Sequence, residues 1–208
     1  MEMKKAELFI ISAPSGAGKT SLIKQLLKDS DQLSVSISHT TRKIRSGEVD
    51  GKDYFFITVD EFVKMIVDEG FLEHAKVFDN FYGTAIQSVQ NNLQNGIDTI
   101  LEIDWQGAQQ VRSAFPDCIS IFILPPSIDI LQQRLENRGQ DSKQIIDRRM
   151  RDAINEMSHF DEFDYLVVND DFNQALVELS SIITSHRLKK NRQLKSLAPL
   201  LATLKSSD

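Results

Sequence analysis

Leu8-Phe9-Ile10-Ile11-Ser12-Ala13-Pro14-Ser15-Gly16-Ala17-Gly18-Lys19-Thr20 joins an apolar run to a loop of small residues that closes on a lysine and a hydroxyl. The run reads as a strand, and Leu22, Ile23, Leu26 and Leu27 mark the inner face of a helix behind the loop. Between them the spacing nearly fits G-x-x-x-x-G-K-[ST], departing only at Ala13. Gly16 and Gly18 let successive amides point into one concavity, to which the helix adds its positive N-terminal end. Ala13, Pro14, Ser15, Gly16, Ala17, Gly18, Lys19 and Thr20 are therefore expected to hold a nucleoside triphosphate. Lys19 would reach the β- and γ-phosphates, and the Thr20 hydroxyl would ligate Mg²⁺. A plain glycine-rich turn is the alternative, and the strand–loop–helix context argues against it.

Outward from this loop, further apolar runs at 98–103, 118–124 and 165–168 are separated by helical stretches. That alternation predicts an α/β fold: a parallel sheet covered by helices on both faces, of the P-loop NTPase type. Thr58 and Glu61 form a capping box for a helix with Val59, Phe62, Val63 and Ile66 on one face, ended by Gly70. Thr84 and Gln87 suggest a second capping box, for a helix running to Asn95-Gly96. The last helix is expected from about Phe172 to Lys190. Two stretches break the alternation, which divides the chain into a core (1–35, 96–126 and 159–208), an insertion (36–95) and an arginine-rich helical segment (127–158). Ile100-Leu101-Glu102-Ile103-Asp104 reads as a strand end with two carboxylates on one face. Asp104 is expected to hold Mg²⁺ directly or through water, with capping of the following helix as the alternative.

The totals narrow the function classes. A chain of 208 residues with 26% charged and 41% hydrophobic residues is ordinary globular material. Its net charge of −6 points away from general nucleic-acid or anionic-membrane binding, so any anion site must be a local basic patch. Cys118 is the one cysteine, set in an apolar run, and reads as a core thiol. His39, His74, His159 and His186 show no metal-ligand spacing. No signal-like apolar start and no 18-residue apolar run is present, which predicts a cytoplasmic protein.

Ser38 through Arg45 set Arg42 and Arg45 three apart among hydroxyl residues, and Tyr54 and Tyr82 add phenolic donors. Forked guanidinium groups and hydroxyls suit a phosphate monoester, although alone the stretch also reads as a solvated basic turn. These residues, with SAPSGAGKT at 12–20, Ser46 through Phe56, Phe71-Leu72-Glu73-His74-Ala75 and Tyr82-Gly83-Thr84, resemble the guanylate kinase family. Leu101 through Gly107, Arg134 through Gly139 and Val168-Asn169-Asp170-Asp171 continue the resemblance in the family's order, over about residues 8–190.

The resemblance implies an ATP-dependent kinase acting on GMP, and on dGMP, with Mg²⁺, in purine nucleotide metabolism and GMP recycling. Ser38, Arg42, Arg45, Tyr54 and Tyr82 would hold the GMP phosphate. Glu73 and Thr84 would read the guanine, with Glu102 assisting near the base or the metal water. Guanine's N1–H and 2-amino group are both donors, which a carboxylate accepts together. Segment 127–158 would be a lid carrying Arg134, Arg138 and Arg149 to the phosphates, while Asn169 and Asp170 would lie beside the adenine. Transfer would depend on Lys19, Arg42, Arg138, Arg149 and Asp104. A non-catalytic interaction module is disfavoured by the intact Gly16, Gly18, Lys19 and Thr20. A sugar-phosphate kinase is disfavoured by Glu73, Tyr82 and Thr84. The basic tail after His186 and the stripe Leu197, Leu200, Leu201 and Leu204 read as a solvated helix, with self-association as the alternative.

Overall fold

The structure, a computed structural model, describes residues 6–77, 79–137 and 143–205. In chain order the elements are β1 (Leu8–Ser12), α1 (Lys19–Lys28), β2 (Leu33–Val35), β3 (His39–Thr40), β4 (Phe55–Phe56) and α2 (Val59–Val67). Then come β5 (Phe71–Val77), β6 (Asn80–Ala85), α3 (Ile86–Gln94), β7 (Asp98–Glu102), α4 (Trp105–Ala114) and β8 (Ile119–Leu124). The remainder is α5 (Ile128–Glu136), α6 (Lys143–Met157), β9 (Tyr165–Val168), α7 (Phe172–Arg187), α8 (Lys190–Ser196) and α9 (Ala198–Lys205).

β1 is buried along its whole length because it lies at the middle of a parallel sheet ordered β2-β7-β1-β8-β9. Phe9 and Ile11 pack on one face with Leu22, Ile23 and Leu26 of α1 and Ala175, Leu179 and Ile183 of α7. Leu8 and Ile10 face the other way, toward Val89 of α3 and Ala108 and Val111 of α4. A continuous apolar strand needs such cover on both sides, and it delivers the following loop to the carboxyl edge of the sheet. Cys118 packs against the second of these clusters, and burial pushes its thiol up to about 11, so it stays protonated.

A second sheet, ordered β4-β3-β6-β5, is built from residues 39–85. Its packing centre is Phe62 of α2, stacked on Phe71 at 4.5 Å and on Phe81 at 5.4 Å.

Several expectations are corrected. The Thr58–Glu61 capping box is present, but Phe62 alone on α2 is buried, while Val59 and Val63 face solvent. Glu69, not Gly70, takes the left-handed conformation that ends this helix. Thr84 caps nothing: it belongs to β6, Ala85 precedes α3 without a side-chain cap, and Gln87 bonds Asn91 instead. β7 stops at Glu102, so Asp104 is off the strand and accepts from the Gly107 N–H at 2.8 Å as the cap of α4. β9 is an edge strand with Val167 alone buried, since nothing pairs beyond it. The last long helix stops at Arg187, because Arg187 and Arg192 both turn onto the buried Asp98 and a continuous helix could not bring both there. Leu200 and Leu204 on α9 are exposed.

Replacing Phe62 by Ala should destabilise the protein by about 3–5 kcal/mol, because the aromatic stack loses its middle ring. Val63→Ala, on the same helix but facing water, should stay within about 0.5 kcal/mol. Urea unfolding of the two variants side by side checks the difference.

Candidate active site

The loop after β1 has the backbone its sequence demands. Gly16 and Gly18 take φ of 96° and 93°, a region closed to most side chains, whereas Ala13 is not among the residues with positive φ. Asn169, just past β9, braces this conformation by donating its amide to the Ala17 carbonyl at 2.6 Å. The same amide stands where a side chain on Gly18 would go. The Asn169 backbone carbonyl accepts from Arg134 at 3.0 Å. Asn169 and Arg134 thus meet each other behind the loop, and Asp170 is exposed beyond β9.

One cleft of about 710 Å³ opens above the loop. Its lining includes Ala13, Pro14, Ser15, Gly16, Gly18, Lys19, Thr20 and Asp104 from the core, together with Arg42, Arg45, Tyr54 and Tyr82. Ile145, Arg148, Arg149 and Glu156 of α6 line it too, as do Val77, Asp79 and Asn80 at the β5–β6 turn. Lys19 Nζ donates to the Ile103 carbonyl at 3.3 Å. The Thr20 hydroxyl donates to Glu102 Oε1 at 2.5 Å, so the carboxylate that meets Thr20 is Glu102, while Asp104 caps α4 beside it.

Arg42 is held rather than free. Its two terminal nitrogens bond Glu48 at 2.7 and 3.0 Å, and its guanidinium lies 5.3 Å from the centre of the Tyr54 ring. Burial, reinforced by Glu102, pushes the Tyr54 hydroxyl up to about 12, which leaves it a donor at neutral pH. Tyr82 stands edge-on to it at 5.9 Å.

Glu73, Thr84 and Ser38 lie behind the cleft lining. Glu73 on β5 is 3% exposed and accepts the Thr84 hydroxyl at 2.6 Å, and Ser38 is 3.5 Å from the same hydroxyl. Burial raises its carboxyl to about 7, opposed by the Thr84 bonds and assisted by the negative Asp104. A carboxyl set apart from water, with one hydroxyl beside it, has acceptor capacity left for further donors.

Arg149 reaches the loop from α6, donating to the Ser15 hydroxyl at 3.1 Å. Arg148 meets Asp79 at 3.4 Å, joining α6 to the turn between β5 and β6. Arg138, expected to contact the phosphates, lies outside the described residues.

Sequence reading missed Glu48 and Glu156. Glu48 carried a local signal, since it follows Arg42 and Arg45 within one turn and also accepts from the Arg45 N–H at 2.8 Å. Glu156 carried none: it sits in a charged helix and meets the Ser15 N–H, 141 residues away, at 3.2 Å. Burial raises its carboxyl to about 7, opposed by Lys19 and the Ser15 amide.

A loop of amides and a lysine at the carboxyl edge of a parallel sheet, facing a second cluster of arginines and phenols, defines a P-loop protein built for phosphorylated ligands. The chain belongs to the guanylate kinase family, whose sequence profile matches residues 5–186. It is 56% identical over 205 residues to a guanylate kinase of Hahella chejuensis, covering 98% of this chain and 99% of that one. It is 56% identical over 202 residues to a guanylate kinase of Methylococcus capsulatus, covering 97% and 99%. Among solved structures, guanylate kinase from Anaplasma phagocytophilum aligns with a TM-score of 0.76 at 33% identity, covering 91% of this chain and 90% of that one.

The raised carboxyl of Glu156 has a measurable consequence. Its pKa is about 7 in the fold and near 4.5 unfolded, so the folded protein binds the extra proton between those values. Stability from this group therefore falls as pH rises through that window and then levels off. Relative to the parent, Glu156→Gln should gain stability from about pH 5 to about pH 7, with a slope of at most about 1.4 kcal/mol per pH unit. Urea unfolding without nucleotide, at a series of pH values, checks the sign.

Proposed function

We propose that the chain transfers the γ-phosphoryl group of ATP to GMP, giving ADP and GDP. dGMP, which differs from GMP only at the 2′-hydroxyl, is proposed as a second acceptor. The observation that carries it is the single cleft lined both by the 13–20 loop and by Arg42, Arg45, Tyr54 and Tyr82. ATP phosphates lie in the loop amides with Lys19. The GMP phosphate lies against Arg42, Arg45, Tyr54, Tyr82 and Ser38, with its base on Glu73 and Thr84. Residues 36–95 act as the GMP-binding part, and 127–158 as the lid that brings Arg149, and Arg138 with it, to the phosphates. Arg134, Asn169 and Asp170 border the ATP side. The reaction is placed in cytoplasmic purine nucleotide metabolism, where it recycles GMP.

An oxygen of the GMP phosphate attacks the γ-phosphorus in line. The new P–O bond forms as the bond to the β–γ bridging oxygen breaks, and its electron pair leaves on ADP. The nucleophile is a phosphate monoester whose second ionisation lies near pH ~6, so it is anionic already and needs no general base. The chain's contribution is alignment and neutralisation of charge by Lys19, Arg42 and Arg149. Glu48 keeps the Arg42 fork in place until the phosphate arrives. Closure over the cleft excludes water that would otherwise take the phosphoryl group.

The donor set fits Mg²⁺. The hydroxyl of Thr20 and the carboxylate of Glu102 are 2.5 Å apart, with Asp104 beside them. Few protein oxygens and several phosphate oxygens are what this ion takes. Among the described residues no group of three or more His, Cys, Asp and Glu gathers that could hold a metal ion. Thr20, with Glu102 and Asp104 directly or through water, would hold Mg²⁺. The ion supplies neutralisation of the phosphate charge.

Lys19→Ala should lower kcat by about 100-fold or more, while GMP binding by calorimetry should change by less than about threefold. Equal loss of both contradicts the assignment. Glu73→Gln should raise KM for GMP by about 10- to 100-fold and leave KM for ATP alone. An effect falling on ATP would contradict the division of the cleft. A coupled ADP-release assay with GMP, dGMP, AMP, UMP and ribose phosphates measures the kinetic constants and the acceptor preference.

A further inference from the structure

Gly107 is the third residue of α4, a buried position in the first turn of the helix, where its N–H is capped by Asp104. It does not need to be glycine for its backbone, since it is absent from the glycines of positive φ. What excludes a side chain is a neighbour. A Cβ built on Gly107 would stand 2.5 Å from Glu73 Oε2 and 3.1 Å from Glu73 Cδ. The next atom, Ile103 Cβ, is at an ordinary 3.4 Å. The conflict is therefore with the Glu73 carboxylate alone.

The strand carrying that carboxylate cannot retreat to make room. Gln110, three residues on along α4, bonds the backbone of the adjacent residue from both ends. His74 N–H donates to Gln110 Oε1 at 3.1 Å, and Gln110 Nε2 donates to the His74 carbonyl at 2.9 Å. Thr84 fixes Oε1 from the other side at 2.6 Å. A methyl on Gly107 must then be answered by movement of the carboxylate itself, the free end of a side chain.

We infer that Gly107 is a specificity-determining position: its missing side chain is the space that seats the Glu73 carboxylate where the N1–H and 2-amino donors of a guanine can reach it. The inference rests on the assignment of Glu73 as the base reader, and it adds that α4 of the core, not the insertion, sets where that reader sits. Gly107 touches no substrate and acts through Glu73, so it is a positioning residue.

The test is Gly107→Ala, measured for KM with GMP, ATP and inosine 5′-monophosphate, which lacks the 2-amino donor. Thermal unfolding runs alongside. Expected are a rise of about 10- to 100-fold in KM for GMP, a smaller rise for inosine monophosphate, and no change beyond about twofold for ATP. The preference for GMP over inosine monophosphate thus shrinks, which loss of structure alone would not produce. The second variant is Gly107→Ala with Glu73→Asp, whose shorter side chain vacates the contested space. It should be less impaired with GMP than the product of the two single effects, and more thermostable than Gly107→Ala. If Gly107→Ala fails to fold, recovery of folding in the double variant supports the inference, and failure of both overturns it. Unchanged GMP kinetics in Gly107→Ala, or equal losses for GMP and ATP, overturns it too. Should Glu73→Gln leave GMP untouched, the base-reading assignment itself falls, an outcome separable from failure of Gly107→Ala alone.

Discussion

A phosphate can be cradled by peptide amides only where no side chain stands between them, and that requirement organises the carboxyl edge of the sheet. Gly16 and Gly18 adopt positive φ to turn their amides inward. The space beside Gly18 is filled by the Asn169 amide, which ties the loop's carbonyl at Ala17 to the end of β9. A loop of two left-handed glycines is floppy in isolation. Here it is held by the helix behind it, by Asn169 beside it and by the fully buried β1 beneath it. The bracing residue comes from 152 positions away, which only the parallel order β1-β8-β9 can bring close.

That dependence on distant neighbours explains what could be read from the chain and what could not. β1 and β8 announce themselves as largely apolar runs, and β7 by the shorter run from Ile100 to Ile103 broken only by Glu102, because each is covered on both faces. The loop is legible because its constraint is local: glycine at fixed offsets between a strand and a helix. Asp104 misled because a carboxylate after an apolar run looks the same whether it ends a strand or caps a helix, and the choice is made by the Gly107 N–H. Thr84 misled in the same way, since Thr-x-x-Gln is the pattern of a cap while the hydroxyl goes to Glu73, eleven residues back. β2 was missed because three half-buried residues make no run. Among the expected site residues, most of the 13–20 loop and Arg42, Arg45, Tyr54, Tyr82, Asp104 and Arg149 line the cleft, whereas Ser38, Glu73, Thr84 and Glu102 are not part of its lining. Asn169 and Arg134 instead support the loop from behind, a role visible only once β8 and β9 are paired.

Charge in the cleft is balanced more finely than the count of arginines suggests. Facing Lys19 and Arg149 are Glu156 and Asp104, and the fork of Arg42 is already matched by Glu48. A cluster of bare cations in one cleft would repel and would hold any passing anion. Pairing Arg42 with Glu48 and Arg148 with Asp79, and setting Glu156 and Asp104 in the same cleft as Lys19, offsets that charge and makes entry in part an exchange of one anion for another. The Glu156 carboxylate on the Ser15 amide is the plainest case, an acidic group standing at one of the donors that phosphate needs.

Glu73 answers a different demand. A carboxylate that recognises a base must be withdrawn from water, for otherwise water replaces the ligand's donors without penalty. Withdrawal raises its pKa to about 7, so near neutrality the group is close to even between its two forms. The N1–H and 2-amino groups of guanine are both donors, and donors stabilise the ionised form. On the proposed role of Glu73 as the base reader, recognition and ionisation are one event, in which the ligand supplies the solvation that burial removed. The fold must keep the group buried without satisfying it beforehand. It does so by giving it the Thr84 hydroxyl on one side and, on the other, a glycine whose absent side chain leaves it room.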